Sequence, residues 1–175
     1  MVDSLAAKES PSLIILTGFM GTGKTAAGQA LSRTLHYSFV DSDREIESRQ
    51  GRSVQQIFET EGEPYFRQLE KETIARLAQN PRTVLSVGGG AILNEETFAL
   101  LDSAGTMVHL TATVEEIANR LGHGNERPLL AGGDRVKKIR KLMKDREPIY
   151  SKVKIQVDTT GRAIDEVVKK ILEHL

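Results

Sequence analysis

The first unbroken apolar run of the chain, Leu13-Ile14-Ile15-Leu16, lacks alternation, which predicts a strand buried on both faces of a sheet. It enters a glycine-rich turn, and beyond the turn the period changes. From about Lys24 to Leu35, the positions Ala27, Ala30, Leu31 and Leu35 share one face and predict a helix. A short strand, Ser38-Phe39-Val40, ends in Asp41-Ser42-Asp43. Helical patterns follow at roughly 43–50, 53–61 and 63–79, punctuated by Gly51 and Gly62. Thr83 to Val87 reads as a second buried strand, stopped by Gly88-Gly89-Gly90. A helix at about 95–103, a strand at Thr106 to Leu110 and a helix from Val114 to Leu121 come next. A charged helix is predicted from about Arg135 to Arg146, up to Pro148, where the ring should stop it. Val153 to Val157 is the last strand, and residues 163–174 form a closing helix with Ile164, Val167, Val168, Ile171 and Leu172 inward. Five strands alternating with helices predict an α/β fold with a mainly parallel sheet.

Residues 122–134 interrupt this alternation with four glycines and one proline. A glycine-rich loop of that length inside a short chain predicts a functional segment. Residues 1–11 read as a flexible tail, leaving residues 12–175 as one domain. The tail lacks the apolar core of a signal peptide, and no apolar run reaches the ~18 to 20 residues of a membrane span.

Composition then narrows the function classes. Lys+Arg and Asp+Glu are both 24, a formal net charge of zero, which argues against a nucleic-acid or membrane-surface role. There is no cysteine, so disulfides and thiolate metal sites are excluded, as suits a reducing cytoplasm.

The chemistry concentrates at strand ends. Gly18-Phe19-Met20-Gly21-Thr22-Gly23-Lys24-Thr25 matches G-x-x-x-x-G-K-[ST] in full, between a predicted strand and a predicted helix. Its backbone N–H groups and the helix N-terminus suit phosphate oxygens, Lys24 can reach the β- and γ-phosphates, and the Thr25 hydroxyl can ligate Mg2+. No N-K-x-D guanine reader is present, and Asp102-Ser103-Ala104-Gly105 precedes a strand, so GTPase chemistry fits poorly. Asp41 and Asp43 follow the second strand, where ligands of open parallel sheets bind. They could divide the holding of Mg2+ and of an attacking hydroxyl, or simply form a helix N-cap at Ser42 or Asp43. Arg67 and Glu70 are three apart on a helix, and spacing alone reads them as an exposed surface pair. Arg146 by the same reasoning is a solvated helix end. Arg127 is the single arginine of the 122–134 loop, placed to close over transferring phosphate. Gly88, Gly89 and Gly90 permit either a close backbone approach to ligand or a tight turn. The four histidines show no metal-ligand spacing, and His109, within a strand, reads as structural.

In their order, GxxGxGKT at 18–25, DSD at 41–43, GRSVQQIF at 51–58, GEPYFRQLE at 62–70, SVGGGA at 86–91, RPLLAG at 127–132 and DREPIY at 145–150 resemble the shikimate kinase family over nearly the whole chain. The resemblance implies a nucleoside-monophosphate-kinase-like P-loop fold with a five-stranded parallel sheet in the order 2-3-1-4-5. It implies transfer of the ATP γ-phosphoryl to the 3-hydroxyl of shikimate, with Mg2+, by a cytoplasmic monomer whose lid lies at about 122–134. It further implies that Gly21, Thr22, Gly23, Lys24, Thr25 and Ala26 hold ATP, with Arg127 as the lid arginine on the phosphates. Arg120 and the Thr160-Gly161-Arg162 loop would flank the adenine. Asp43 would hold the substrate diol and serve as base, with Lys24 and Arg127 as the other catalytic groups. Arg67, Arg146 and the Gly88–Gly90 turn, through the Gly89 backbone, would hold the substrate carboxylate. Phe58 and Phe66 would wall the ring pocket, and Asp41 would assist the metal through water. Ala26 replaces a frequent hydroxyl residue, and Ser86 stands where many P-loop enzymes have a metal-binding aspartate. A gluconate-type kinase and a non-catalytic nucleotide-binding module are the rival readings.

Overall fold

The computed structural model describes residues 11–122 and 134–175. The expected tail (1–11) apart from Pro11, the lid arginine Arg127 and all but the ends of the 122–134 loop lie outside the described residues. Five strands, β1 (Leu13–Gly18), β2 (Ser38–Asp41), β3 (Thr83–Ser86), β4 (Thr106–Thr111) and β5 (Ile155–Asp158), form one sheet in the order β2-β3-β1-β4-β5. Every pairing is parallel, with Ile15 beside Leu85 on one side and Met107 on the other. The helices are α1 (Lys24–Leu35), α2 (Ser42–Gln50), α3 (Val54–Glu61), α4 (Glu63–Leu77), α5 (Glu95–Ala104), α6 (Val114–Leu121), α7 (Arg135–Tyr150) and α8 (Ile164–Leu172), with a 3-10 turn at Ala91–Leu93.

The unbroken apolar run of β1 is explained by what covers it. Ile15 joins Ile74, Leu85, Leu101, Met107, Ile117 and Ile139 on one face. Ile14 and Leu16 join Ala27, Leu31, Val84, Val108, Val168 and Ile171 on the other. A strand at the centre of such a sandwich has no solvent face on which to place polar residues. Truncating one of these side chains to alanine costs about 2–5 kcal/mol. A satellite cluster of Ile46, Ile57 and Phe66 ties α2, α3 and α4 together beside β2.

Local signals set the helix starts. Ser53 and Gln56 form a reciprocal capping box at α3, and Asn94, Thr113 and Asp134 cap α5, α6 and α7. Several boundaries shift by one or two residues from the sequence reading, and two of the differences bear on the site. The cap of α2 is Asp41, not Ser42 or Asp43: its carboxylate accepts from the N–H groups of Asp43 and Arg44. Strand β2 delivers Asp41 in extended conformation, which places its side chain over the first turn. And α7 runs through Pro148 to Tyr150. Pro148 forfeits one helical N–H, but both sides of it are anchored. Arg146 and Tyr150 are buried, and both donate to the Gly89 carbonyl.

Because β1 sits between β3 and β4, the segments leaving β1 and its neighbours diverge above the carboxyl ends of the strands. This switch point is where open parallel sheets bind ligands.

Candidate active site

The turn from β1 to α1 fills that switch point. Gly23, at φ 93°, is the last residue before α1, a left-handed conformation that favours glycine and lets α1 begin with its N–H groups facing the loop. The Thr22 hydroxyl donates to the Phe19 carbonyl at 2.8 Å, and the Lys24 ammonium donates to the carbonyls of Gly18 (2.8 Å) and Phe19 (3.0 Å). The loop is held from outside as well. Arg120 on α6 donates to the Gly21 carbonyl (3.3 Å) and to Thr159 (2.7 and 2.9 Å), whose hydroxyl donates in turn to the Thr22 carbonyl. Beneath the loop, His109 on β4 is hydrogen-bonded to Thr17 at 2.9 Å and packs against Tyr150. Burial pushes the His109 imidazole down to about 4, and the nearby Lys24 charge adds to the shift. A neutral ring therefore lies under the cradle at neutral pH, in agreement with the structural reading.

Beside the loop, Thr25 donates to Asp41 Oδ2 at 3.1 Å while Asp41 Oδ1 caps α2. These two residues pair because Thr25 opens α1 and Asp41 ends the adjacent β2–β3 edge of the sheet. A cavity of about 710 Å³ extends over Gly21, Gly23, Lys24, Thr25, Ala26, Asp41, Asp43 and Arg120. Arg162 does not line it; its Nε donates to the Asp158 carbonyl at 3.0 Å.

A second, smaller cavity of about 70 Å³ adjoins the first, sharing Met20, Asp43, Val54, Gly88 and Gly89 with it. Its walls bring together Asp43, Phe58, Phe66, Arg67, Glu70, the three glycines and Arg146. Spacing alone misread two members. Glu70 is no surface residue: it is 3% exposed and takes Arg67 Nη1 at 2.6 Å, while Glu63 holds the outer edge of the same guanidinium at 3.0 Å. Arg146 is no solvated helix end: it is 6% exposed, stacked over the Phe19 ring of the loop, and 3.3 Å from the Gly89 carbonyl. Both guanidiniums lean on aromatic rings, Arg67 on Phe66 and Arg146 on Phe19, which fixes planar groups suited to paired hydrogen bonds with a carboxylate.

Two contributors carried no signal in the sequence. Ser42 is fully buried and its hydroxyl accepts from the Gly88 N–H at 3.2 Å, tying α2 to the turn after β3. The Tyr150 hydroxyl donates to the Gly89 carbonyl at 2.5 Å and holds the middle glycine against the loop. Tyr150 was legible only as part of DREPIY, and a serine between two aspartates has no distinctive pattern.

A nucleoside-phosphate cradle opening into a compartment lined by two arginines and a carboxylate, on a parallel sheet of order 2-3-1-4-5, defines a small-molecule kinase of the P-loop class. The profile of the shikimate kinase family matches residues 20–175. The chain is 40% identical over 172 residues to a shikimate kinase of Geobacter metallireducens, covering 98% of this chain and 96% of that protein. It is 42% identical to one of Deinococcus radiodurans, covering 93% and 82%. Among solved structures it superposes on the shikimate kinase from Acinetobacter baumannii in complex with shikimate, with a TM-score of 0.90, 36% identity and coverage of 93% and 92%. A gluconokinase from Sinorhizobium meliloti shares 17% identity at a TM-score of 0.59, a likeness of fold alone. This chain belongs to the shikimate kinase family.

Proposed function

We propose that the chain transfers the γ-phosphoryl group of ATP to the 3-hydroxyl of shikimate, giving ADP and shikimate 3-phosphate. The observation that carries this reading is the convergence of Arg67, Arg146 and Asp43 in one small compartment that opens onto the phosphate cradle. An acceptor with one carboxylate and neighbouring hydroxyls matches that set: paired guanidiniums for the acid, an acid oxygen for the hydroxyls. Phe58 and Phe66, whose rings pack with centroids 4.9 Å apart, offer an apolar wall to the acceptor ring.

In this reading Gly21, Thr22, Gly23, Lys24, Thr25 and Ala26 hold the phosphates, and Lys24 exchanges the Gly18 and Phe19 carbonyls for phosphate oxygens. Arg120 stands at the nucleotide end. Arg162, bonded to the carbonyl of Asp158, flanks the base only by turning from that partner. Arg127 belongs to the proposed lid. Asp43 orients the 3-hydroxyl and accepts its proton as the phosphoryl group leaves ADP; Lys24 and Arg127 offset charge on the transferring group.

Thr25 and Asp41 would hold Mg2+, with Asp41 acting through water. Their fit rests on the donor set, a hydroxyl and a carboxylate oxygen already 3.1 Å apart. Among the described residues no cluster of three or more acids, histidines or cysteines could cage a metal. That paucity suits an ion that keeps most of its waters and shares phosphate oxygens. When bound, Mg2+ neutralises developing phosphate charge. In this reading the working unit is a monomer, which light scattering on the pure protein checks.

ADP release measured with a panel of polyhydroxy acids tests the assignment. Shikimate-dependent release is expected, with gluconate far slower. Faster turnover of gluconate would transfer the chain to another acceptor class. ATP binding with no acceptor-dependent release would make it a nucleotide-binding module.

A further inference from the structure

One buried acid of the acceptor compartment keeps an oxygen that the reaction scheme does not use. Glu70 Oε2 takes Arg67, whereas Oε1 is buried with no hydrogen-bond partner. Its direction is defined by Gly88. A Cβ at Gly88 would lie 2.5 Å from Glu70 Oε1 and 3.0 Å from Asp43 Oδ1, so the two acids converge on one glycine that alone leaves them room. The charged groups facing Glu70 are Arg67 on α4, with Glu63 on that guanidinium's far edge, Asp43 on α2 and Arg146 on α7. The turn after β3 supplies none.

In the free compartment two inner carboxylates thus face two guanidiniums. An acceptor carboxylate settling on Arg67 and Arg146 adds a third anion and draws both cations away from Glu70. A carboxylate oxygen left without a donor in a buried site is costly, whereas a protonated carboxyl can itself donate. Burial already pushes Glu70 up to about 7 despite the pull of Arg67, and Asp43 pushes the same way.

We propose that Glu70 is the proton-holding residue of the acceptor compartment: binding of a carboxylate acceptor to Arg67 and Arg146 draws a proton from solvent onto Glu70 Oε1. The inference rests on the assignment of this compartment to a carboxylate acceptor. The exchange is balanced: one proton leaves solvent, one carboxylate becomes a neutral acid, and no bond of the acceptor breaks. The neutral Glu70 donates toward Asp43 and releases Arg67 from an internal ion pair to the acceptor. Asp43 stays anionic beside a hydroxyl donor, which holds it in place for the acceptor's own hydroxyl.

The test is calorimetric titration of the full chain with shikimate at about pH 7.5, in buffers of low and high ionisation heat. The dependence of the observed heat on the buffer counts protons. Uptake of roughly half a proton or more per acceptor is expected, and acceptor affinity should fall as pH rises from about 7 to 9, by up to about tenfold per unit. Glu70→Gln, which mimics the neutral acid, should bind shikimate without uptake. Heats independent of buffer in the wild type overturn the proposal, as does uptake that survives Glu70→Gln. If the Gln variant does not fold, the wild-type pH series decides: affinity that is flat from about pH 6 to 9 overturns it. An absence of any shikimate binding overturns the functional assignment itself and the proton linkage with it, an outcome distinct from binding without uptake.

Discussion

The phosphate cradle takes its polar groups from consecutive residues, Gly18 to Thr25, and most of them are backbone. The acceptor compartment takes Asp43 from α2, Arg67 and Glu70 from α4, the triple glycine from the turn after β3, and Arg146 from α7. The two share walls, yet they are assembled by different physics. The cradle follows from glycine torsions and the N-terminus of one helix, so its parts arrive together whenever the strand–turn–helix forms. The compartment needs four elements docked together, and Arg67, Glu70 and Arg146 find their ionic or aromatic partners there. The cradle therefore fails by losing a group, and the compartment fails by losing a neighbour.

Substitutions can break or sharpen this contrast, beginning with the largest effect. Asp43→Asn preserves shape and removes the proposed proton acceptor; kcat should fall by about 10²- to 10⁴-fold with nucleotide affinity retained. A near-normal kcat in single-turnover assays would reduce Asp43 to a packing role. Lys24→Met should lower kcat by about 10²- to 10³-fold and weaken ATP binding, while shikimate binding measured by calorimetry stays close to normal. Loss of both ligands together would show that the cradle is not separable from the compartment.

Arg146→Ala removes a charged donor worth about 1.5–3 kcal/mol, so shikimate KM should rise by roughly 10- to 150-fold with much less change for ATP. Equal losses for the two substrates would mean that its stacking on Phe19 matters more than its charge. Acid stability probes the cradle's underside. The folded value of His109 is depressed, so its contribution is present above about 6.5 and is lost as pH falls toward about 4, when the unfolded chain takes the proton first. Glu70 runs the other way: its raised value favours the fold at low pH and that benefit fades as pH climbs through about 7. His109→Asn should accordingly flatten the acid limb of a denaturation series by on the order of 1–3 kcal/mol relative to the wild type. An unchanged limb would contradict a neutral buried ring. The smallest change belongs to Glu63→Gln. Its ion pair with Arg67 is half in solvent, and its loss should move shikimate KM by less than about threefold. A larger shift would mean that the outer acid, not Glu70, sets the guanidinium's orientation.

How much was legible follows the same division. The sheet, its parallel sense and the cradle could be read from unbroken apolar runs, helical periods and the P-loop spacing, because each is a local pattern with a local cause. The order 2-3-1-4-5 came from family resemblance, and the pairings bear it out. Arg67, Glu70 and Arg146 could not be read from spacing. An arginine at i and a glutamate at i+3 look identical on a solvated helix and against a buried turn. Pro148 misled in a related way. Its local preference ends a helix, but Arg146 and Tyr150 bonded to Gly89 hold α7 together through it.

By itself the sequence determined the form of the turn at Gly18 to Thr25: glycine torsions between a buried strand and a helix leave it few other conformations. Only tertiary structure decided how the compartment beside that turn is assembled. The charges of that compartment are spread over helices whose docking is fixed by the Ile46–Ile57–Phe66 cluster, by Ser42 on Gly88 and by Tyr150 on Gly89. A charge acquires its energy from its surroundings, and those surroundings exist only once the helices have packed.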